Sequence, residues 1–514
     1  MIENDIDNFV PQKRSPLWAY FLCCVLIMAA VVMFGFTLNR YPAFYVDEPF
    51  FNVSAVRWLD GSSFAYTLHS EAPHNGKVWA FHGPFFFRLQ TVSFKLMGVT
   101  HFTCRFLSFF GAHLGIFIMC LFLLRRGMYI TAIVLSAAWM GDRSSSQILL
   151  GRPEGICLLF VILGYVSLLN ALRSRTMAWF VGAGFFTGIA TGFNPAALYM
   201  GLAVCAAIMI SKPANKWLKS LIAVAVGALV PAGVILLCLA PSLTQSIEQF
   251  LWYLNLSTKE VVPSLQQRLS NLQFAFGWAT YWNLGLMLVS LLFLLPLLVK
   301  SIMIDKWKGS PDWPISITIT GSVFSIAGII LYIRSSMHPY YLVFFTIWPV
   351  LALSAFWESK TESERLRSAL SVYALVIAIC WLPSFTWNVM RSREAVLFWE
   401  VLDKRPIVKH LAGEIPQGVD LRGDPKYFIV TRDAGLNFTP LPFYANDSGI
   451  DVPAKAWLLL SPAYVNFLKR TRPDYLANRA LIFKGAAFDG SMYYREEYFA
   501  YGPESSQQKD HIRN

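Results

Sequence analysis

The chain has 514 residues, of which 55% are hydrophobic and only 14% are charged, and its mean hydropathy is +0.47. Charged residues make up about a quarter of ordinary soluble domains, so this composition excludes a soluble globular protein and predicts an α-helical polytopic membrane protein. The net charge of +12 does not indicate a nucleic-acid partner, because the Lys and Arg residues lie mostly in short clusters between apolar runs, where orientation signals belong.

The first apolar run, Leu17 to Leu38, is long enough to cross the bilayer as a helix, since about 20 residues are needed for this. Two adjacent carboxylates, Asp47 and Glu48, follow it in the stretch YPAFYVDEPFF at 41–51. They would lie close to the outer membrane surface, where acidic residues are costly unless they are functional. The alternative is that they are solvated or helix-capping residues.

Further apolar runs predict ten more transmembrane helices, at about 102–124, 128–140, 155–172, 177–192, 196–210, 220–240, 281–299, 313–333, 342–357 and 369–390. Basic residues, beginning with Lys13 and Arg14, flank the ends that would lie inside. Eleven helices with a cytoplasmic N-terminus place the C-terminus outside. The long first outer loop, 39–101, should contain an interfacial amphipathic helix at 84–97.

Residues 391–514 differ in composition from the transmembrane part, 1–390. They are polar, with short β-like runs at Tyr427 to Thr431, Trp457 to Leu460 and Leu481 to Phe483 between helix-like pieces. This pattern predicts a small soluble α/β domain on the extracytoplasmic side.

Several short motifs occur in a characteristic order along the chain. They are Asp47-Glu48, His82-Gly83-Pro84-Phe85, Arg105, Arg152-Pro153-Glu154, Asn194-Pro195 and His338-Pro339-Tyr340-Tyr341. In order and position they resemble the motifs of the GT-C glycosyltransferases, in particular the branch of the protein O-mannosyltransferases and the lipid A aminoarabinose transferase. The resemblance covers helices 1–6 and 10, with His82 and Asn194 standing where the family usually has Lys.

The resemblance implies an inverting transfer of a sugar from a polyprenyl-phosphate donor to an extracytoplasmic acceptor, a lipid or cell-envelope glycan rather than a protein. Asp47 is the candidate general base, and Glu48 a helper or acceptor-orienting group. The candidates for binding donor phosphate or substrate are His82, Arg143, Arg152, Glu154, His338 and Tyr341.

Two of these interpretations have structural alternatives. Arg152 and Glu154 either bind the substrate or form an ion pair that fixes the outer loop. Arg105 is expected to anchor the second transmembrane helix at the membrane interface rather than to act in the site.

We expect no obligatory cofactor or metal. Asp47, Glu48, Asp142 and Glu154 carry oxygen ligands that would suit a divalent cation, but no Asp-x-Asp pair occurs in the predicted outer segments and the chain has no CxxC pair. The expected location is a bacterial inner membrane, since the sequon at Asn52 would place a glycan in the candidate site of a eukaryotic protein.

Three other functions remain open at this stage. A lipid-linked sugar transporter or flippase would need ionisable residues near mid-membrane, whereas the charges here cluster at helix ends. A ligase acting on a pyrophosphate-linked donor would need an Arg-rich outer loop, and 241–280 contains only Arg268 and Lys259. A non-catalytic assembly subunit would keep the same fold.

Overall fold

The computed structural model describes most of the N-terminal half and most of the C-terminal domain. The described ranges are 15–36, 38, 47–61, 72–74, 83–141, 150–211, 216–239, 242–259, 319–327, 347–354, 405–441, 452–471, 473–488 and 495–504, with isolated positions between 292 and 396. This part of the chain is a helical bundle with a small mixed sheet at its C-terminal end.

The helices of the bundle follow the predicted apolar runs closely. Those described up to residue 259 are α1 (Leu17–Gly35), α2 (Asp47–Leu59), α3 (Phe85–Met97), α4 (His101–Arg125), α5 (Tyr129–Gly141), α6 (Glu154–Ser174), α7 (Met177–Phe193), α8 (Leu198–Ser211), α9 (Trp217–Leu239) and α10 (Leu243–Lys259). Seven of the predicted transmembrane helices and the predicted helix at 84–97 are thereby confirmed as helices. The last four predicted runs fall largely outside the described residues, so the count of eleven stays a prediction.

Four of these helices, α1, α4, α6 and α9, are long and apolar enough to cross a membrane, and α5, α7 and α8 are apolar but shorter. Large apolar side chains cover the outer faces of α1 and α9: Leu17, Phe21, Leu229 and Leu237 are between 66% and 87% exposed. Such faces are unfavourable in water and favourable against lipid tails. The chain is an integral membrane protein.

Glycines bring α7 and α9 into backbone contact. A Cβ atom at Gly184 would lie 1.9 Å from the carbonyl oxygen of Val224, and one at Gly227 would lie 2.0 Å from that of Val181. Small residues at such crossings let helices approach closely enough for van der Waals packing, which drives helix association in lipid. The close approach of α7 and α9 therefore requires glycine at these two positions.

The C-terminal domain is built on a five-stranded sheet. Its elements are α11 (Arg405–Glu414), β1 (Leu421–Gly423), α12 (Phe428–Asp433), β2 (Phe438–Pro440), β3 (Trp457–Leu460), α13 (Pro462–Thr471), α14 (Asp474–Ala477), β4 (Arg479–Phe488) and β5 (Arg495–Glu504). The strand order is β2-β1-β3-β5-β4, with β1 parallel to both β2 and β3 and the other pairs antiparallel.

Two of the three β-like runs predicted in this domain are confirmed. Trp457–Leu460 is β3, and the run from Leu481 to Phe483 lies within β4. The prediction for Tyr427 to Thr431 is wrong, because this segment is helical. Asp424 caps the 3-10 turn Pro425–Tyr427 by accepting a hydrogen bond from the Lys426 N–H, and the turn continues directly into α12.

The C-terminal domain packs directly on α2. One buried apolar cluster includes Val53 and Val56 of α2, Phe94 of α3, and Leu411 and Ile429 of the C-terminal domain. At the edge of this interface both terminal nitrogens of Arg432 donate to the Asp60 carboxylate, at 3.0 and 3.1 Å. The helix that begins at Asp47 is thus held between the membrane bundle and the C-terminal domain.

Candidate active site

The first turn of α2 is fixed by a fully buried ion pair. Arg105 on α4 donates from Nε to Glu48 Oε1 at 2.7 Å and from Nη2 to Glu48 Oε2 at 2.8 Å, and both side chains have no exposed surface. The Gly151 N–H donates to Glu48 Oε1 at 2.8 Å, and Arg105 Nη1 donates to the Leu38 carbonyl at 3.1 Å. The Glu48 carboxylate therefore joins α2, α4 and the segment before α6.

The start of α4 is itself well defined, which fixes the position of Arg105. Thr100 caps the helix: its hydroxyl accepts a hydrogen bond from the Thr103 N–H, and the Thr103 hydroxyl accepts one from the Thr100 N–H. Such a reciprocal cap satisfies two backbone donors that the first helical turn leaves open. The expectation that Arg105 anchors this helix at the membrane interface is wrong, because the side chain is fully buried against Glu48.

A second buried ion pair follows at the start of α6. Arg152 donates from Nε to Glu154 Oε2 at 3.2 Å and from Nη2 to Glu154 Oε1 at 3.1 Å, with 5% and 1% of the two side chains exposed. Asn194 donates from Nδ2 to Glu154 Oε1 at 3.2 Å. The Arg152 guanidinium also lies 4.9 Å from the ring centroid of Phe51 on α2, within the range of a cation–π contact.

Asn52 and Gln90 connect the two ion pairs to α3. Asn52 donates from Nδ2 to the Glu48 carbonyl at 2.7 Å and to the Gly151 carbonyl at 3.3 Å. Gln90 on α3 donates from Nε2 to Asn52 Oδ1 at 3.0 Å and to the Thr103 carbonyl at 2.9 Å. Because both amides are fully buried, these hydrogen bonds hold α2, α3, α4 and the 151–154 segment in one arrangement.

The segment Gly151 to Glu154 lies at the centre of this network. Gly151 donates to Glu48, Arg152 and Glu154 form their ion pair, and the Ser108 hydroxyl of α4 donates to the Arg152 carbonyl. The sequence offered two interpretations of Arg152 and Glu154, and the ion pair of the second is formed in the structure.

Space at Gly151 is too small for a side chain. A Cβ atom there would lie 2.5 Å from the Cys104 carbonyl oxygen and 2.9 Å from Asn52 Nδ2. We expect Gly151→Ala to move this segment away from α2 and to lower the free energy of unfolding by about 1–3 kcal/mol, as overpacking usually does. Thermal unfolding of the solubilised protein measures the effect.

Gly233 on α9 offers the matched control. A Cβ atom at Gly233 would meet nothing within 4 Å, and Ala is favoured over Gly inside a helix by about 1 kcal/mol. Gly233→Ala should therefore leave the melting temperature unchanged or raise it slightly. Equal melting temperatures for the Gly151→Ala and Gly233→Ala variants would contradict the tight fit at Gly151.

The structure describes the side chains of only part of the predicted site. Glu48, Arg152 and Glu154 are brought into one network, and Asp47 is the first residue of α2, one position before Glu48. The predicted site residues His82, Arg143, His338 and Tyr341 lie outside the described residues.

The hydrogen-bonding partners of Glu48 and Glu154 were not predicted from the sequence. Asn52 follows Glu48 by four positions on one face of α2, a spacing that could have suggested a shared contact. Arg105, Gln90 and Asn194 are far from their partners in the chain, so no local pattern connects them. Within the described residues, no group of three or more His, Cys, Asp and Glu side chains is placed to hold a metal ion.

Comparisons with known proteins found a matching family model and similar solved structures. The sequence model of the family described as dolichyl-phosphate-mannose-protein mannosyltransferase matches 81–244, which is less than half of the chain. Among curated proteins, none matches the sequence. The crystal structure of ArnT from Cupriavidus metallidurans in the apo state has a TM-score of 0.52 and 13% identity, covering 94% of this chain and 98% of that one.

The chain has the GT-C glycosyltransferase fold. The crystal structure of the same ArnT bound to undecaprenyl phosphate gives a TM-score of 0.51 and 13% identity over 93% of this chain and 97% of that one. The resemblance found from the motifs is thereby confirmed for the GT-C superfamily. The matched family region runs from α3 to α9 and contains the 151–154 segment at the centre of the buried network.

Proposed function

We propose that the protein is an integral membrane glycosyltransferase that transfers a sugar from a polyprenyl-phosphate donor to a lipid or glycan acceptor on the extracytoplasmic side. The observation that carries this proposal is the buried network around Glu48, which holds the first turn of α2, and with it Asp47, against the 151–154 segment. The undecaprenyl phosphate bound by the structurally similar ArnT supports a lipid-linked donor.

In the proposed reaction, an acceptor hydroxyl attacks the anomeric carbon of the donor sugar. The bond between that carbon and the phosphate oxygen breaks, and the polyprenyl phosphate leaves with the bonding electrons. Asp47 takes the hydroxyl proton as general base. A single displacement of this kind inverts the configuration at the anomeric carbon.

Glu48 has a positioning role in this proposal. Its two carboxylate oxygens accept hydrogen bonds from Arg105 and from the Gly151 N–H. A carboxylate held in this way, and fully buried, is well suited to fixing the helix start and poorly suited to meeting a substrate proton. In this proposal Asp47 acts on the acceptor, and Glu48 orients α2.

The leaving phosphate needs positive charge and hydrogen-bond donors. We propose that Arg152 contributes to this environment, oriented by Glu154 and by Phe51. His82, Arg143, His338 and Tyr341 remain proposed donor contacts on the basis of the motif resemblance. Asn194, which stands where the family usually has Lys, contacts Glu154 and so acts on the phosphate environment through Arg152.

A donor panel tests the proposed function. Purified protein in nanodiscs would be given radiolabelled polyprenyl-phosphate sugars together with total envelope lipids, with empty nanodiscs as the control. We expect one donor to lose its sugar to an acceptor, with stoichiometric release of polyprenyl phosphate. Passage of the intact donor across a sealed proteoliposome membrane without transfer of the sugar would instead indicate the transporter alternative.

A further inference from the structure

A cavity of about 310 Å³ lies between α2 and the C-terminal domain. One wall comes from α2, with Val53, Arg57 and Asp60. The other comes from α12, with Phe428 and Arg432, and from the segment 436–440 that includes edge strand β2. Its volume is at the lower end of the range of small-ligand sites in proteins.

One wall of the cavity belongs to the helix that begins at Asp47. Val53 follows Asp47 by six positions on the same helix, which is about 9 Å along the axis at 1.5 Å per residue. Asp60, at the far end of the cavity, lies about 20 Å along the axis from Asp47 by the same rise. A ligand in the cavity would therefore lie against the helix that begins at Asp47, about 9–20 Å from that residue along the axis.

The apolar side chains of the cavity walls belong to a packed hydrophobic cluster. Val53 and Val56 belong to the buried cluster that also contains Phe428, Leu436 and Phe438 of the C-terminal domain. Since these side chains are buried in contact with one another, the cavity is formed without a ligand. Little conformational entropy would then be lost when a ligand binds.

The accessible part of the lining is polar and suits sugar hydroxyls. Asn437 is exposed and Thr439 is half-buried, and they offer an amide and a hydroxyl that both donate and accept hydrogen bonds. The Asp60–Arg432 ion pair is 49% and 35% exposed, so solvent weakens it and sugar hydroxyls can compete for both partners.

We propose that this cavity binds the saccharide part of the acceptor. The proposal rests on the proposed function, because it assigns the acceptor side of the same site. It gives the C-terminal domain a part in acceptor selection: together with α2 it holds a glycan or glycolipid on the helix that begins at Asp47.

Saccharide binding to the full-length protein in nanodiscs tests the proposal. The probes are the methyl glycosides of a hexose, an N-acetylhexosamine and a uronic acid, observed by saturation-transfer NMR and titrated to obtain dissociation constants. We expect at least one probe to bind in the millimolar range. Thr439→Trp, which fills the cavity, should weaken this binding at least about tenfold, and Asn437→Ala about three- to tenfold, the usual effect of one lost hydrogen bond.

Gln417→Ala is the matched control, since Gln417 is an exposed amide of the same domain that does not line the cavity. Its binding should equal that of the wild type, and the melting temperatures of all three variants show whether the domain is folded. Binding that is unaffected by both cavity variants, an equal loss in Gln417→Ala, or no binding of any probe would overturn the proposal.

The donor assay separates this proposal from the proposed function. If saccharides bind in the cavity but the protein uses no lipid-linked donor, the cavity site is supported and the glycosyltransferase function is refuted. If Thr439→Trp transfers sugar with an unchanged acceptor KM, the glycosyltransferase function is supported and the cavity is not the acceptor site.

Discussion

Asp47→Asn should lower the rate of sugar transfer by about 10²–10⁴-fold, the usual contribution of a positioned general base. Asparagine has nearly the same shape as aspartate but cannot take up the acceptor proton. Glu48 and its hydrogen bonds to Arg105 and Gly151 are unchanged by the substitution, so α2 should keep its place. The expected loss is therefore in kcat, with donor binding preserved, as measured by single-turnover transfer and by donor titration.

Asp474→Asn is the matched control for this variant. Asp474 is an exposed aspartate that also begins a helix, but it lies in α14 of the C-terminal domain and lines no part of the site. Its transfer rate should equal that of the wild type. A fully active Asp47→Asn protein would refute Asp47 as the base.

Arg105→Met should destabilise the protein by about 3–5 kcal/mol, because it removes the buried guanidinium that pairs with the buried Glu48 carboxylate. The methionine replaces the length of the side chain but none of its hydrogen bonds to Glu48 and Leu38. Because the first turn of α2 then loses its anchor on α4, transfer activity should fall together with stability. Thermal unfolding and the yield of monodisperse protein measure the change.

A double substitution distinguishes the buried charge from simple loss of packing. Glu48→Gln combined with Arg105→Met removes both charges, so its destabilisation should be smaller than the sum of the two single effects. Arg422→Met is the control for loss of an exposed pair: Arg422 and Asp420 are 24% and 42% exposed, so the cost should stay within about 1 kcal/mol. Equal destabilisation by Arg105→Met and Arg422→Met would contradict the structural importance of the Glu48–Arg105 pair.

Properties that depend on local composition could be predicted from the sequence. Long apolar runs specify helices wherever the surroundings are lipid, because every backbone donor and acceptor must be satisfied within the segment. For this reason the runs that became α1 and α4 to α9 were predicted within a few residues, and the predicted helices at 177–192 and 196–210 left only a short connection that contains Asn194 and Pro195. The strand at Trp457–Leu460 followed from its short apolar run.

The same reasoning failed where two local signals compete. The segment from Tyr427 to Thr431 has the aromatic and β-branched residues of a strand, yet Asp424 and Pro425 begin a helical turn immediately before it. Once started, that turn continues as α12, whose residues Phe428, Ile429 and Val430 are all buried. Capping chemistry at one end outweighed the strand propensity of the segment.

The motifs Asp47-Glu48 and Arg152-Pro153-Glu154 were recognised in the sequence by their order and their depth in the membrane. Only the tertiary structure decided that Glu48 pairs with Arg105, that Asn194 donates to Glu154, and that the C-terminal domain packs on α2. Glu48 and Arg105 are separated by 57 residues in the chain, and Glu154 and Asn194 by 40. No helical or strand period connects positions so far apart, because they meet only when the helices that carry them pack together.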